Sequence, residues 1–420
     1  MNRKPPSRLH FPHQQLFTSF AAVPTLRYID LFAGCGGLSL GLGKAGLQGV
    51  FAVEKNPMAF ATFKHNLLGK NSHFDWPEWL PKGTHDLDEI LKKFKIQLLA
   101  LRGQIDIVAG GPPCQGFSMA GKRQENDIRN SLVHSYLKFV ELVQPRIIFF
   151  ENVAGIMQRF RSEDGKMGQR HSDIVAKHLI SLGYSFPSQE LLDLSEFGLP
   201  QSRRRFIMVA VRGKESPCDF FKLLRDRLNL FLDEKGLTKN NTVGRALSDL
   251  LETHGVAPCP DGGSFLSGKY GTAKNGFQRL MRQGGRKGQI PDSHRFANHQ
   301  PQTVSVFDHL LYFAPVNVGL RGQQARSYGV KKRNVTVLDE SAPSPTILSI
   351  PDDYVHYEEP RILTVRECAR LQTFPDDFHF VGKYTTGGQM RKLEVPRYTQ
   401  VGNAIPPLFA EQVGRILKHI

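Results

Sequence analysis

The chain has 420 residues, 40% of them hydrophobic, which suits one large or two ordinary domains with a true core. Its formal net charge of +16 and pI near 9.6 point to a polyanionic partner. Five widely spaced cysteines without a Cys-x-x-Cys or His-Glu-x-x-His pattern exclude a disulfide framework and a zinc site, and no apolar run is long enough to cross a bilayer. A reducing, cytoplasmic setting is expected.

Residues 1–26 read as a leader, basic at first and broken by prolines, without the apolar core of a signal peptide. Tyr28–Phe32 then predicts a strand, and Gly34, Gly36 and Gly37 a tight turn that lets the backbone approach a ligand. A second strand, Val50–Val53, ends in Glu54, eighteen residues after Gly36. A glycine turn followed at this distance by an acid able to bind ribose hydroxyls is the logic of a Rossmann-type adenosine site. Ser39 stands where a dinucleotide fingerprint has its third glycine, and no Gly-Lys-Ser/Thr phosphate loop occurs. An adenosine cofactor without an essential pyrophosphate is therefore expected, with S-adenosylmethionine the candidate.

Ile105–Ala109 predicts a buried strand that runs into Gly110-Gly-Pro-Pro-Cys114-Gln115-Gly-Phe-Ser118. Two prolines stiffen this loop and hold one sulfur at the carboxyl edge of the sheet, where open α/β folds bind ligands. Cys114 is the candidate nucleophile. Cys35, Cys218, Cys259 and Cys368, taken as lone cysteines, read as small buried hydrophobes. Helical spacing over Leu132–Val143 and Ile174–Leu182 alternates with strands at Ile147–Phe150 and Phe206–Val211, which predicts a mostly parallel sheet covered on both faces.

After Arg212 the pattern turns polar, glycine-rich and irregular. Between Gly268 and Pro345 there are twelve Lys/Arg against four Asp/Glu, so half of the net charge lies in under a fifth of the chain. Basic side chains on adaptable loops suit a phosphate backbone. Helical periodicity returns at Leu363–Leu371 and Pro407–Leu417. The expected organisation is a discontinuous α/β domain, residues 27–212 and 346–420, interrupted by a smaller basic, irregular or β-rich domain over 213–345.

Six blocks, in order, resemble the DNA (cytosine-5)-methyltransferase family from about Arg27 to Ile420: Asp30-Leu-Phe-Ala-Gly-Cys-Gly-Gly37, Pro113-Cys-Gln115, Glu151-Asn-Val153, Gln201-Ser-Arg-Arg-Arg205, Arg366–Pro375 and Gln400–Pro407. The resemblance implies a Rossmann-like domain dependent on S-adenosylmethionine, with Phe32 against the adenine and Glu54 on the ribose. Asp86 and Leu87 would read the adenine edge. Gly34, Cys35, Gly36, Gly37, Leu38, Lys55, Pro113, Leu132, Asn403 and Ala404 complete the implied cofactor set. Lys55 departs from the apolar residue that some relatives carry there. The insert falls where the family keeps its target-recognition region.

In the implied reaction the Cys114 thiolate adds to cytosine C6, which activates C5 toward the methyl group. Glu151 would donate to N3, Arg205 would hold the base O2 and orient Glu151, and Arg203 would support the thiolate and its loop. Arg203 and Arg205, two apart on an extended segment, are expected on one face. The base must leave the duplex stack, and Gln115 and Ser118 are placed to close over it. Arg282, Arg286, Arg321 and Arg326 are the candidate DNA contacts. Double-stranded DNA is the expected partner and a monomer the expected state, in a bacterial, nucleoid-associated setting with no membrane. A separately acting cognate restriction endonuclease is left open. An RNA cytosine methyltransferase and a non-catalytic DNA-binding regulator are the alternatives, and a nicotinamide oxidoreductase is disfavoured by the missing glycine.

Overall fold

A computed structural model of the chain describes residues 25–113, 131–161, 167–213, 219–331, 334–388, 390 and 393–420. The leader lies almost wholly outside these residues. Strands β1 (Arg27–Leu31), β2 (Gln48–Val53), β3 (Ile107–Gly110), β4 (Ile147–Val153), β5 (Tyr184–Asp193) and β6 (Arg204–Arg212) form one six-stranded sheet in the order β2-β1-β3-β4-β6-β5. The first four run parallel, and β6 is antiparallel to both of its neighbours. The α/β class with a mostly parallel sheet is as expected.

Alternation along each strand feeds two cores. Tyr28, Ile107, Ala109, Ile147 and Phe149 face one side, with helices α1 (Gly37–Lys44), α2 (Pro57–Leu67) and the C-terminal Pro407–Leu417. Ile29, Val108, Ile148 and Phe150 face the other, with α3 (Leu87–Lys93), α4 (Ser131–Val143) and α5 (His171–Ser181). Being buried on both faces, these strands read as continuous apolar runs. Phe149 and Phe150 have no exposed surface, and each contributes roughly 1.5–3 kcal/mol of transfer free energy.

Packing does not follow the expected boundaries at 213 and 345. Helices α6 (Phe220–Asp226), α7 (Leu228–Glu234), α8 (Val243–Leu247) and α9 (Gly276–Arg282) send Phe220, Phe231, Leu247 and Phe277 into the first of the two sheet cores. A distinct small core forms from Phe307, Leu310, Leu320, Ala325, Val330, Val335, Val337, Val355 and Ile362. It belongs to α10 (Pro301–Phe313) and the short strands Leu320–Arg321, Asn334–Val337 and Tyr354–Val355. Among its described residues the insert thus carries more helix than strand, set in long irregular stretches. Its helices are mostly of two turns, too short to print a 3.6-residue pattern.

Buried polar groups join insert to catalytic body. His294, fully buried, bonds the carbonyl of Leu250 at 2.8 Å through Nε2 and the Thr364 hydroxyl at 2.9 Å through Nδ1. Because a carbonyl only accepts, the network requires a neutral ring protonated at Nε2. Burial pushes His294 down to about 4 and His356 down to about 3. Both therefore stay neutral in the fold while the unfolded chain protonates near pH 6.5. Their contribution is complete above that value and is lost as pH falls from 6.5 toward 4. Melting temperature is expected to fall steeply across this window, and less steeply in His294→Asn. Equal slopes for the two proteins would contradict the assignment.

Candidate active site

The strand order reverses between β1 and β3, which opens a crevice at the carboxyl ends of the parallel strands. A cavity of about 740 Å³ occupies it. Phe32, Gly34, Cys35, Leu38, Glu54, Lys55, Asp86, Leu87, Pro113, Leu132, Asn403 and Ala404 all line it, together with Glu151 and Arg205. Residues spread over most of the chain are therefore brought to one wall. Cys114, Gln115 and Ser118 lie outside the described residues.

The turn after β1 is tightly wound, with positive φ at Phe32 (62°), Gly34 (58°) and Gly36 (100°). The Gly34 N–H donates to Glu54 Oε2 at 2.9 Å and the Asn56 N–H to Oε1 at 2.6 Å, so the acid at the end of β2 is oriented by backbone from two loops. Burial raises its pKa above the ordinary range. Gly36 and Gly37 do not line the cavity. A side-chain carbon at Gly37 would lie 2.3 Å from the carbonyl oxygen of Ile405, so this glycine lets α1 close onto the Asn403–Ile405 segment. Cys35 donates to the Gln400 carbonyl, and burial pushes its thiol up to about 12, the condition of an inert core cysteine.

Asp86 caps α3 by accepting from the Asp88 N–H at 2.9 Å, and its other oxygen meets Lys55 Nζ at 2.7 Å. The Lys55 hydrogen bond holds its carboxyl below the usual range. Lys55 thus serves to fix an acid.

The β4–β6 register pairs Val153 with Arg205 and Glu151 with Ile207. Glu151 and Arg205 are then diagonal neighbours on one face. Their side chains meet at 2.8 Å from Nε to Oε1, each about one-eighth exposed. The loop leading to Cys114 crosses directly above: a Cβ at Gly111 would stand 2.6 Å from Glu151 Oε2. Asn152 donates to the Pro112 carbonyl at 3.2 Å and so pins that loop to β4.

A family model described as C-5 cytosine-specific DNA methylase matches residues 26–419. The chain belongs to that family. It is a DNA (cytosine-5)-methyltransferase. The chain is 29% identical over 399 residues to the Type II methyltransferase M.DdeI of Desulfomicrobium norvegicum, spanning 93% of this chain and 88% of the relative. It is 30% identical over 423 residues to the Type II methyltransferase M.XorII of Xanthomonas oryzae pv. oryzae, spanning 92% and 83%. Among solved structures, a protein assigned as a prophage-encoded DNA modification methyltransferase (E. coli) is similar at 26% identity, with TM-score 0.61 and coverage of 94% and 99%.

Two expectations for this methyltransferase need correction. Arg203 does not share the cavity with Arg205. It is buried, and donates to the carbonyls of Ile347 (3.3 Å), Gly402 (2.9 Å) and Ala404 (3.1 Å). Gln201 beside it bonds the Leu371 carbonyl and Gln372, so the Gln-x-Arg half of the motif clamps C-terminal segments around the site. The strand β6 begins only at Arg204, and Arg203 precedes the alternation assumed for it. Arg282 is also buried, bonded to Asp249 at 2.7 Å and stacked 4.4 Å from the Tyr270 ring, and is closed to DNA. Arg286, Arg321 and Arg326 are exposed.

One more residue of the cavity lining, Asp30, quoted in the first motif block, was given no role in the sequence reading. Asp30, near the end of β1, is buried, accepts from the Ser39 hydroxyl at 2.6 Å through Oδ2, and has no hydrogen-bond partner at Oδ1 among the described residues. Burial pushes it up to about 7. An acid inside an apolar strand just before a glycine turn was the available signal. Among the described residues, no His/Cys/Asp/Glu group is arranged to hold a metal ion, and no helix is long and apolar enough to cross a membrane.

Proposed function

We propose that the chain methylates C5 of cytosine within a specific duplex sequence, using S-adenosylmethionine, with the target base flipped and Cys114 attacking C6. The observation that carries this reading is that Glu151 and Arg205 share one cavity with Glu54, Asp86 and Asp30. The donor set fits this cofactor. Glu54 offers carboxylate lone pairs to ribose hydroxyls, Phe32 an apolar face to the adenine, and Asp30 a free oxygen to an ammonium group. Lys55 is held by Asp86 and Arg205 by Glu151, which leaves no phosphate cradle in the lining. Bound, S-adenosylmethionine supplies an electrophilic methyl group.

The Cys114 thiolate forms a bond to C6 and the C5–C6 π electrons shift to C5. Negative charge then builds over N3 and O2. Glu151, held through one oxygen by Arg205, presents its carboxyl to N3, and the guanidinium faces O2. Fixed groups aimed at developing charge need no reorganisation as the reaction proceeds. The electrons at C5 would be taken up by the methyl group that the cofactor supplies; once C5 carries it, loss of the C5 proton returns electrons to the ring and expels Cys114. Arg203 acts as a positioning residue through the carbonyls beside Asn403. Flipping costs on the order of a few kcal/mol, offset by contacts in the cavity and along the opened duplex.

The small body and the exposed Arg286, Arg321 and Arg326 are proposed to carry sequence recognition. The likeness to Type II methyltransferases supports a restriction-modification role, and the chain is proposed to act as a monomer on nucleoid DNA. Label transfer from S-adenosylmethionine to duplex DNA and to transfer RNA, measured side by side, tests the substrate: transfer to RNA alone would overturn it. Asp30→Asn is expected to weaken S-adenosylmethionine binding about tenfold by titration calorimetry, with DNA binding unchanged. Wild-type affinity would remove Asp30 from the cofactor site.

A further inference from the structure

Arg295 is a cation that neither the sequence motifs nor the cavity accounts for. Its guanidinium lies 4.0 Å from the ring centroid of Phe265 and 3.6 Å from that of Tyr384. Its backbone bridges to Ser267, in the short strand Leu266–Gly268. Two rings thus lie within cation–π reach of the guanidinium, whose N–H groups have no protein acceptor among the described residues. Among the described residues its side chain makes no hydrogen bond or ion pair.

Its surroundings sharpen the point. Arg397 stacks on the same Tyr384 ring at 4.2 Å, but its charge is met by Asp261 at 2.7 Å. Lys383 is met by Glu394 at 2.7 Å. These cations line one open cleft of about 430 Å³ with Arg295 and Asp261. The nearby carboxylates are therefore taken, and Arg295 is left with a second guanidinium as its neighbour. A cation in an open cleft with no carboxylate partner among the described residues favours an anion beside it.

We propose that Arg295 is a phosphodiester contact for duplex DNA, outside the cofactor cavity and outside the candidate recognition arginines. A planar fork suits bidentate binding of phosphate oxygens. Base readout needs a side chain that projects into a groove, whereas the Arg295 guanidinium packs against two rings of its own chain. The proposal rests on DNA being the substrate.

Binding of duplex DNA to the full chain, followed by fluorescence anisotropy across a salt series, tests it in wild type, Arg295→Gln and Arg295→Lys. Arg295→Gln is expected to bind about tenfold more weakly at moderate salt, with the log–log salt slope reduced by about one. The loss should be the same for duplexes of unrelated sequence, with S-adenosylmethionine affinity and melting temperature unchanged. Arg295→Lys should keep the slope and bind several-fold more weakly, which keeps the test available if the glutamine variant does not fold. Unchanged affinity and slope would overturn the assignment, as would a loss confined to one sequence. Failure of the wild type to bind duplex DNA would instead overturn the substrate reading beneath it.

Discussion

Cys114→Ser is expected to lower methyl transfer by at least about 10³-fold while leaving S-adenosylmethionine and DNA binding in place. A thiol with a reference pKa near 8.5 is a few per cent thiolate at neutral pH and strongly nucleophilic, whereas an unassisted serine hydroxyl is neither. The described residues leading into the nucleophile loop are held in place. Pro112 is tied to β4 through Asn152, and Gly111 passes within van der Waals reach of Glu151. A duplex carrying 5-fluorocytosine at the target separates the covalent route from any other. Fluorine cannot leave C5 as a proton, so the wild type should remain bonded to the DNA under denaturing conditions, and Cys114→Ser should not. Methylation by the serine variant at the wild-type rate would refute covalent catalysis through Cys114.

Glu151→Gln and Arg205→Ala are each expected to lower kcat by about 10²- to 10³-fold, with S-adenosylmethionine affinity nearly unchanged. The two side chains meet at 2.8 Å and act on one developing charge, so their effects should not multiply. The double variant is expected to be about as slow as the worse single one, as for groups that work as a unit. Losses that multiply across the cycle would mean that the two act independently, with the ion pair incidental to catalysis.

Much of this was legible from residues alone, because the parallel strands are short apolar runs closed by glycine or an acid. Gly34–Gly37, Glu54 and Glu151 could be placed at one sheet edge from that pattern, whereas Asp86 came only from the family resemblance. The strand Tyr184–Asp193 was not. It is the edge strand, carries Pro187, shifts register between Ser185 and Ser188, and alternates too weakly to print a period of two. Arg282 was misplaced for a different reason. Its partner Asp249 lies thirty-three residues away, and nothing local distinguishes an arginine destined for a buried ion pair from one facing DNA. Arg295 escaped notice because its rings, Phe265 and Tyr384, come together only in the fold. Charge counting found the basic region, but assigning single arginines required the contacts.

The central claim, methylation of cytosine at C5 in DNA, is tested most directly by product analysis. Unmethylated genomic DNA is incubated with the protein and methyl-labelled S-adenosylmethionine, digested to nucleosides, and resolved by mass spectrometry. The account predicts label in 5-methyldeoxycytidine. Label in N4-methyldeoxycytidine or N6-methyldeoxyadenosine, or no label in DNA at all, would contradict it.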